Sequence, residues 1–385
     1  MRILIAPQGF KGCLDAWAVA EAIERGIKTA SPAAETILLP IADGGEGTVR
    51  ALVKATGGQF KRTIVHDPLG GSISAEWGVM GDGCTAVIEM AAASGLQLVE
   101  PEKRNPLVTT TYGTGELIKT AVDEGYRRCI IGVGGSATND GGAGMAQALG
   151  IRLLDAGGRD LTWGGASLIS LATIDTAGLD QGLRQVEILI ASDVTNPLAG
   201  PQGASHVYGP QKGATPEMAD QLDAALQHYG EVIRDQLGIE IRDRPGAGAA
   251  GGLGGGLIAF LNARLVSGAE LVLREIGFEK HLKDADVVFT GEGQMDSQTI
   301  YGKAPIAVAR AAKSSHLPVV AIVGGTSDDH DVVYQHGIDA VISITQRPMD
   351  LRVAMEQADA LIATAAERAV RLMLIGQGIE RRQRG

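Results

Sequence analysis

The sequence contains few of the residues that mark several common classes of protein. Its 3 cysteines, Cys13, Cys84 and Cys129, are odd in number and widely spaced, so they form neither a disulfide framework nor a zinc-ligand pattern. So few cysteines are typical of a protein from a reducing cytosol. No apolar run is long enough to cross a membrane, and the first one, residues 3–6, is too short for a signal peptide. We therefore expect a cytoplasmic protein with no membrane partner.

Several catalytic and cofactor motifs are also missing. The sequence has no Walker A pattern, no protein-kinase signature set and no GxSxG nucleophile elbow. The 7 histidines form no HxxxH or HxH pair, which counts against a histidine-based metal site. A net charge of −11 argues against a general nucleic-acid-binding protein, because such proteins attract phosphates with positive charge. Because the GxSxG motif is missing, the sequence argues against a hydrolase with a serine nucleophile.

Glycine, by contrast, is abundant, with 54 residues against 5 phenylalanines. The glycines follow apolar runs, which indicates many junctions between strands and loops. Strand, loop and helix alternate at the start of the chain and in its final third, a rhythm typical of a parallel sheet. We predict an α/β fold with two domains: a doubly wound, flavodoxin- or Rossmann-like parallel sheet, and an inserted second α/β domain that contains antiparallel hairpins.

Near residue 60 the alternation of predicted strands and helices gives way to predicted antiparallel strands. We use this change to place the expected domain boundaries. Residues 73–77 and 85–90 are predicted to be antiparallel strands, with Gly-Asp-Gly as a turn. We assign residues 1–60, 105–150 and 250–385 to the parallel-sheet domain. Residues 61–104 and 151–249 form the inserted domain, and we expect an active-site cleft between the two.

The segment from Ile130 to Gly150 carries the strongest local signal. An apolar run is followed by a glycine-rich loop and then by a predicted helix. Glycines allow close backbone approach, and the N–H groups and dipole of a helix N-terminus favour a negatively charged ligand. We therefore predict a phosphate or substrate loop. Its candidate residues are Gly134, Gly135, Ser136, Asn139 and Asp140.

A second glycine-rich segment, residues 246–251, fits the GxGxxG dinucleotide fingerprint, and Glu270 lies at about the expected distance of 20 residues beyond it. The context disagrees with that function. The segment does not follow a strand directly, and Glu270 falls in a predicted helix. A tight hinge or helix-packing segment, a second phosphate loop and a nicotinamide site remain alternatives, in that order of preference.

Acids form a further pattern, because each of five follows a predicted strand in a loop. Carboxylates in that position can hold Mg²⁺ or accept a proton from a substrate hydroxyl, although loop acids also cap helices and shape turns. Lysines beside glycines can reach a phosphate as point charges, or can simply be solvated. The acids are Asp43, Asp140, Asp193, Glu292 and Asp296, and the lysines are Lys11, Lys212 and Lys303. Together they indicate phosphoryl transfer, which depends on positioning and charge neutralisation.

At this point a resemblance becomes specific. The chain resembles the type-1 glycerate kinase family over essentially its whole length. The matching blocks, in chain order, are Ala6–Pro7 with Phe10–Gly12, Ala42–Thr48, Ile88–Leu96, Gly113–Glu116, Gly134–Gly142, Asp193–Leu198, Gly209–Gly213 and Thr290–Gly293. The resemblance implies an ATP-dependent phosphotransferase that acts on D-glycerate, typically giving 2-phosphoglycerate, with ATP and Mg²⁺ as cofactors.

Two departures from the family pattern bear on the substrate. The family's first loop often reads Ala-Pro-Asp-Ser-Phe-Lys, whereas Gln8 and Gly9 stand in place of the acid and the hydroxyl. The family's Gly-Glu-Gly-Arg ends here in Gln294, which removes a cation. If that cation helped to hold a phosphate or the substrate carboxylate, substrate preference differs here.

Within this framework we expect Asp193 to accept the hydroxyl proton and Lys11 to neutralise charge near the transferred group. Loop 134–142, Lys212 and Lys303 are expected to bind substrate or nucleotide. Asp43, Glu292 and Asp296 are the expected Mg²⁺ ligands, although base and metal ligand could be exchanged. Open alternatives are a kinase for another small hydroxy acid, a 3-phosphoglycerate-forming kinase, a non-catalytic phosphate sensor and, more distantly, a dehydrogenase. The expected partners are small molecules, and a homodimer stays open.

Overall fold

The computed structural model describes residues 1–300 and 303–384. Its strands are β1 Arg2–Ile5, β2 Glu35–Leu38, β3 Gln59–His66, β4 Ser72–Val79, β5 Thr85–Glu89, β6 Arg128–Gly132, β7 Arg152–Leu154, β8 Thr173–Asp175, β9 Glu187–Ala191, β10 Arg264–Val266, β11 Val287–Met295, β12 Val319–Thr326 and β13 Ala340–Ser343. Its α-helices are α1 Ala16–Ala30, α2 Thr48–Thr56, α3 Ala91–Ser94, α4 Tyr112–Asp123, α5 Ala143–Ala148, α6 Ala204–Tyr208, α7 Pro216–Leu237, α8 Leu253–Leu261, α9 Gly268–Glu275, α10 Phe278–Leu282, α11 Ala304–Ser314, α12 Leu351–Glu356 and α13 Ala358–Arg384. Short 3-10 helices cover Leu96–Leu98, Pro101–Lys103, Gly165–Ser170, Gln181–Gln185, Pro210–Lys212, Ser297–Ile300 and His330–His336.

The protein is an α/β protein that divides into two compact units. Unit 1 consists of Met1–Asp43 and Ala269–Gly385, and unit 2 is the continuous segment Gly44–Gly268. The insertion that we predicted is present, but its expected boundaries need correction. Residues 44–60, 105–150 and 250–268 belong to the inserted unit and not to the parallel-sheet unit. For 105–150 the reason is that β6 pairs with β5 and β9 of that unit and with no strand of unit 1 in the described part of the chain.

Unit 1 is built on a parallel sheet with the strand order β13-β12-β11-β1-β2. The prediction that N-terminal and C-terminal strands share one sheet is therefore confirmed. Apolar residues of α1 and α13 pack together on this sheet. A Cβ atom at Gly26 would lie 2.0 Å from the carbonyl oxygen of Ala363, so glycine is required for the close approach of these two helices. Asp15 caps α1 by accepting a hydrogen bond from Ala18 N.

Unit 2 contains a mixed sheet with the order β10-β9-β6-β5-β4-β3. The strands β10, β9, β6 and β5 are parallel, whereas β3, β4 and β5 are antiparallel neighbours. The predicted hairpins are thus confirmed, including the turn at Gly81-Asp82-Gly83, where Gly83 N donates to Met80 O. A two-stranded antiparallel sheet, β7 and β8, completes this unit.

The GxGxxG segment is a packing element of unit 2. Residues 246–252 form turns that lead into α8 and do not follow a strand. A Cβ atom at Gly251 would lie 1.9 Å from the carbonyl oxygen of Thr138, and one at Gly256 would lie 2.4 Å from that of Gly141. The glycines let this segment touch the backbone of the loop after β6, which confirms the packing interpretation over the dinucleotide site.

None of the helices in residues 1–300 and 303–384 combines the length and the apolarity needed to span a bilayer.

Candidate active site

Parallel strands of unit 2 end at one edge of its sheet, and three of the segments singled out in the sequence meet there. These segments are the loop after β6, the loop after β9, and the stretch around Gly44, which contacts the first loop and the end of β9. Gly134 N donates a hydrogen bond to Gly44 O at 3.1 Å. A Cβ atom at Gly44 would lie 2.0 Å from the carbonyl oxygen of Ala191, so only glycine permits this approach. Ligands of parallel α/β sheets bind outside the carboxyl ends of the strands, which makes this edge a candidate site.

Asp140 lies in the loop between β6 and α5, but it faces the interior. Its side chain has no exposed surface. Its carboxylate accepts hydrogen bonds from Thr111 N (2.8 Å), Thr111 Oγ1 (2.9 Å), Gly142 N (3.2 Å) and Gly144 N (3.2 Å). Thr111 Oγ1 in turn accepts from Met145 N at 2.9 Å. Burial raises the pKa of Asp140, although these hydrogen bonds favour the carboxylate.

The expected anion site at the start of this helix therefore needs correction. Three N–H groups in the first turn of α5 already bond to Asp140 and Thr111, so they are not directed at a ligand. Asp140 acts as a helix cap, the alternative that applies to many loop acids. Because it is fully buried, Asp140 is not placed to bind substrate or metal.

Lys212 and Asn139 are buried as well. Lys212 is 1% exposed, and its Nζ donates to the carbonyl oxygen of Thr138 at 2.6 Å. Burial lowers the pKa of Lys212 to about 7, with the charge of Asp140 opposing this shift. Asn139 Nδ2 donates to Ser205 Oγ at 2.9 Å. Both side chains are thus buried and bonded within unit 2, although we expected them to contact phosphates directly.

The accessible part of the loop is the turn Gly134–Ser136. Gly135 is exposed and Gly134 partly so, while Ser136 retains 7% exposure. Gly135 adopts a φ of 76°, which favours glycine, and its carbonyl oxygen accepts from Leu96 N at 2.8 Å. These residues, unlike Asn139 and Asp140, can be reached by a ligand.

Glu89 is a residue of this edge that we did not predict as a site residue. It is the last residue of β5, and its carboxylate accepts a hydrogen bond from Val49 N, in the first turn of α2, at 2.8 Å. Burial raises the pKa of Glu89 to about 7, and the charge of Glu46 adds to the shift. The sequence did hold a signal for this residue, because Glu89 is an acid directly after the apolar run Ala86–Ile88.

Asp193 follows β9 at the same edge, as predicted. It is partly buried, and its Oδ1 accepts a hydrogen bond from Gly268 N, the first residue of α9, at 3.0 Å. The carboxylate is therefore oriented by a helix N-terminus.

The carboxyl edge of the unit 1 sheet gathers a second set of predicted residues. Gln8 Nε2 donates to Asp43 Oδ2 at 2.7 Å, joining the loops after β1 and β2. The loop after β1 also packs on β11, since a Cβ atom at Gly293 would lie 3.6 Å from Lys11 N. Lys11 itself is exposed. The structure thus brings Gln8, Lys11 and Asp43 to the strand that carries Glu292.

Glu292 is the most buried acid of this edge, at 6% exposure. It lies within β11 and not in a loop after it, because the strand continues to Met295. Thr299 Oγ1 donates to Glu292 Oε1 at 2.7 Å. Lys303 Nζ lies 3.8 Å from Glu292 Oε2 and 3.5 Å from Asp296 Oδ1.

The electrostatic state of Glu292 follows from this environment. Burial raises the pKa of Glu292 to about 7, whereas the hydrogen bond from Thr299 and the charge of Lys303 lower it. The charges of Asp296 and Asp43 raise it further. A group with a pKa near neutrality inside a cluster of charges is characteristic of functional sites.

The acids of this edge fit Mg²⁺ only in part. Within the described residues, no group of three or more His, Cys, Asp or Glu side chains is arranged to hold a metal ion. Mg²⁺ is, however, usually bound by one or two carboxylates together with substrate phosphates and water. Asp43, Glu292 and Asp296 therefore suit an ion that arrives with a nucleotide better than a permanently bound metal.

The model of the glycerate kinase family matches residues 3–374. The chain belongs to the glycerate kinase family.

Individual members of the glycerate kinase family are similar to this chain over nearly their whole length. A Bacillus subtilis (strain 168) protein named glycerate kinase is 56% identical over 358 residues, which cover 93% of this chain and 94% of that protein. An Escherichia coli (strain K12) protein named glycerate 2-kinase is 54% identical over 344 residues, covering 89% and 90%. A crystal structure of a proposed glycerate kinase 2 from Salmonella typhimurium LT2 has a TM-score of 0.87 and 49% identity, covering 98% of this chain and 99% of that one.

Proposed function

We propose that the protein transfers the γ-phosphoryl group of ATP to the 2-hydroxyl of D-glycerate and releases 2-phosphoglycerate and ADP. The observation that carries this proposal is the 54% identity with the Escherichia coli protein named glycerate 2-kinase. The match covers 89% of this chain and 90% of that protein. The clusters of acids and lysines support the same chemistry, because phosphoryl transfer depends on charge neutralisation and positioning.

Asp193 is the proposed base. In the reaction the glycerate hydroxyl oxygen forms a bond to the γ-phosphorus while the bond from that phosphorus to the β–γ bridging oxygen breaks. ADP leaves with the electron pair of that bond, and the hydroxyl proton passes to a carboxylate. The hydrogen bond from Gly268 N holds the Asp193 side chain in one orientation, which suits this role.

The cluster in unit 1 is proposed to bind the nucleotide phosphates with their Mg²⁺. One or two of Asp43, Glu292 and Asp296 would hold the ion together with phosphate oxygens, and the ion would neutralise phosphate charge when bound. Lys303 and Lys11 are proposed to contact phosphate oxygens as point charges. The accessible turn Gly134–Ser136 in unit 2 is proposed to contact the substrate through the backbone N–H groups of Gly135 and Ser136.

A kinase for a different small hydroxy acid is the second candidate. The observation that favours it is the contact of Gln8 with Asp43, since an amide stands here in place of the acid found in the resembling family motif. Gln8 donates a hydrogen bond and carries no charge, so the charge of this edge is altered. Such an enzyme would share every other feature.

The decisive assay measures Mg·ATP-dependent ADP release with D-glycerate, L-glycerate and a panel of other small hydroxy acids. We expect D-glycerate to give the highest kcat/KM. Enolase is then added alone or together with phosphoglycerate mutase, and signal with enolase alone establishes the 2-isomer. Signal that needs the mutase would show that the 3-hydroxyl is attacked.

Two other outcomes would contradict the proposal more broadly. A higher kcat/KM with another hydroxy acid would support the second candidate. Nucleotide binding without ADP release under any condition would indicate a non-catalytic sensor.

A further inference from the structure

A fully buried amine lies behind the loop that follows β6. Lys212 ends the 3-10 helix Pro210–Lys212, and its side chain is 1% exposed. Among the residues that the structure describes, no carboxylate oxygen lies within 4.0 Å of its Nζ. Placing an ammonium group in the interior without a close ion-pair partner costs free energy, so its retention needs a specific contact.

That contact is a single backbone carbonyl. Lys212 Nζ donates to Thr138 O at 2.6 Å. The same carbonyl faces Gly251, where a Cβ atom would lie only 1.9 Å away. The Thr138 peptide is thus held between the lysine and the backbone of the glycine-rich segment, and it lies two residues beyond the accessible turn Gly134–Ser136.

Asp140 fixes the other side of the same loop. Its four hydrogen bonds come from Thr111 and from the first turn of α5. Both Asp140 and Lys212 are buried, and the charge of Asp140 favours the protonated amine of Lys212. Opposite charges interact over longer distances in the interior than in water, because the effective dielectric constant is lower.

Three further buried polar atoms lie in this loop or on a residue packed against it. Thr138 Oγ1, Asn139 Oδ1 and Tyr229 OH are buried and have no hydrogen-bond partner within the described residues. An ammonium group has three donors, and the structure gives Lys212 one acceptor. Buried donors and acceptors left over at one place are usually joined by ordered water. The amine therefore belongs to an internal polar network and not to the ligand-facing surface.

We propose that Lys212 is a positioning residue, whose amine fixes the Thr138 peptide and thereby the turn Gly134–Ser136, and which does not contact the substrate or nucleotide. Its effect on catalysis rests on the proposed kinase activity, but its role in the loop does not.

The first test uses the unmodified protein. Reductive methylation with ¹³C-formaldehyde, followed by peptide mass spectrometry, reports which lysines are accessible. We expect Lys212 to stay unmethylated with and without Mg·ATP, whereas the exposed Lys11 and Lys280 are dimethylated in the free protein. Methylation of Lys212 in the free protein that Mg·ATP suppresses would overturn the proposal, because it would place the amine in the ligand site.

The second test replaces Lys212 by methionine, with Gln211→Met as the matched control, since Gln211 is the exposed neighbour in the same 3-10 helix. Hydrogen exchange is measured without ligand. In Lys212→Met we expect exchange at least tenfold faster across residues 134–148, unchanged exchange in β11 and β12, and kcat/KM at least tenfold lower. Gln211→Met should match the wild type.

Two results of that comparison would contradict the proposal. Wild-type exchange in the loop together with a raised KM for ATP would mean that Lys212 contacts the ligand. Faster loop exchange with unchanged kcat/KM would mean that Lys212 stabilises the fold but does not position the turn. If the wild type lacks kinase activity, methylation and exchange still decide the contact with the loop.

A third variant covers the case in which Lys212→Met fails to fold. Lys212→Ala leaves a cavity the size of propylammonium, so that cation should restore at least tenfold of the lost activity or of the loop protection. Propanol has a similar shape but a single uncharged donor, and it should restore less of both. Equal effects of the two compounds would contradict a role for the amine, and if neither variant folds, the methylation result alone decides.

Discussion

Asp140 in unit 2 and Glu292 in unit 1 are both buried acids near the carboxyl end of a parallel strand, yet their surroundings differ. Four donors surround the carboxylate of Asp140 at 2.8–3.2 Å. They belong to Thr111 and to the backbone of Gly142 and Gly144 at the start of α5. Within the described residues, Glu292 receives one hydrogen bond, from Thr299, and faces Lys303 at 3.8 Å. That distance is too long for a hydrogen bond.

The two lysines show the same contrast. Lys212 is fully buried and bonded to a backbone carbonyl at 2.6 Å. Lys303 keeps 33% of its side chain exposed and lies 3.5 Å from Asp296. An acid or lysine that is buried and bonded at short distance within the fold acts as a structural support, whereas one with long contacts can exchange them for a ligand.

The largest expected effect is on turnover. Asp193→Asn should lower kcat by about 10²- to 10⁴-fold, the usual contribution of a general base, because the amide cannot accept the hydroxyl proton. Thermal unfolding should change little, since the Asn oxygen can still accept from Gly268 N. Steady-state kinetics give the result, with Asp175→Asn as a control acid that accepts from Ala177 N in a turn of the same unit. Near-normal turnover in Asp193→Asn would remove it as the base.

The next effect concerns the buried support. Asp140→Asn should lower the free energy of unfolding by about 3–5 kcal/mol, the range for removing one partner of a buried charged network. An amide offers fewer acceptor sites to the donors of Thr111 and α5, and it leaves Lys212 without its balancing charge. Urea denaturation measures the change. A loss below about 1 kcal/mol would mean that the carboxylate is not needed to hold the loop.

Glu89 should make stability depend on pH. Its pKa is raised from 4.5 to about 7 in the folded protein, so the folded state binds more protons between these values and stability falls as pH rises through that window. Glu89→Gln removes this dependence. The free energy of unfolding of the variant relative to the wild type should rise by about 2–3 kcal/mol from pH 4.5 to pH 7.

The control for Glu89 is Glu102→Gln, a substitution at an exposed residue. Its difference from the wild type should stay constant across the same pH range. A constant difference for Glu89→Gln as well would show that burial does not perturb this carboxyl group.

The smallest expected effect sharpens the contrast between the lysines. Lys303→Met should change the free energy of unfolding by less than about 0.5 kcal/mol, because partly exposed ion pairs at long distance contribute little. The same variant should raise the KM for ATP, since Lys303 is proposed to contact phosphate. Denaturation and kinetics measured side by side check this. A stability loss as large as that of Asp140→Asn would erase the distinction between the two edges.

The α/β class, the parallel sheet and the inserted unit were predictable from the sequence, because strands, loops and helices alternate in a regular pattern. The assignment of β6 did not. Its apolar residues suit either parallel sheet equally, and only the pairing with β5 and β9 decides between them. For the same reason the predicted boundary placed residues 105–150 in the wrong unit.

The candidate site was predictable only in part. The acids and glycines at strand ends were visible as a pattern, and the resemblance in motifs led to the family. The burial of Lys212 was not visible, because a lysine beside glycine is usually solvated and its partner is a carbonyl 74 residues away in the chain. Glu89 was missed because its raised pKa depends on burial against α2.

The proposed activity is tested most directly by ³¹P NMR of a reaction that contains the wild-type protein, Mg·ATP and D-glycerate. We expect the γ-phosphate signal to decline while signals of ADP and of 2-phosphoglycerate grow in equal amounts. A growing 3-phosphoglycerate signal would contradict the proposed hydroxyl, and an unchanged ATP spectrum would contradict the proposed kinase.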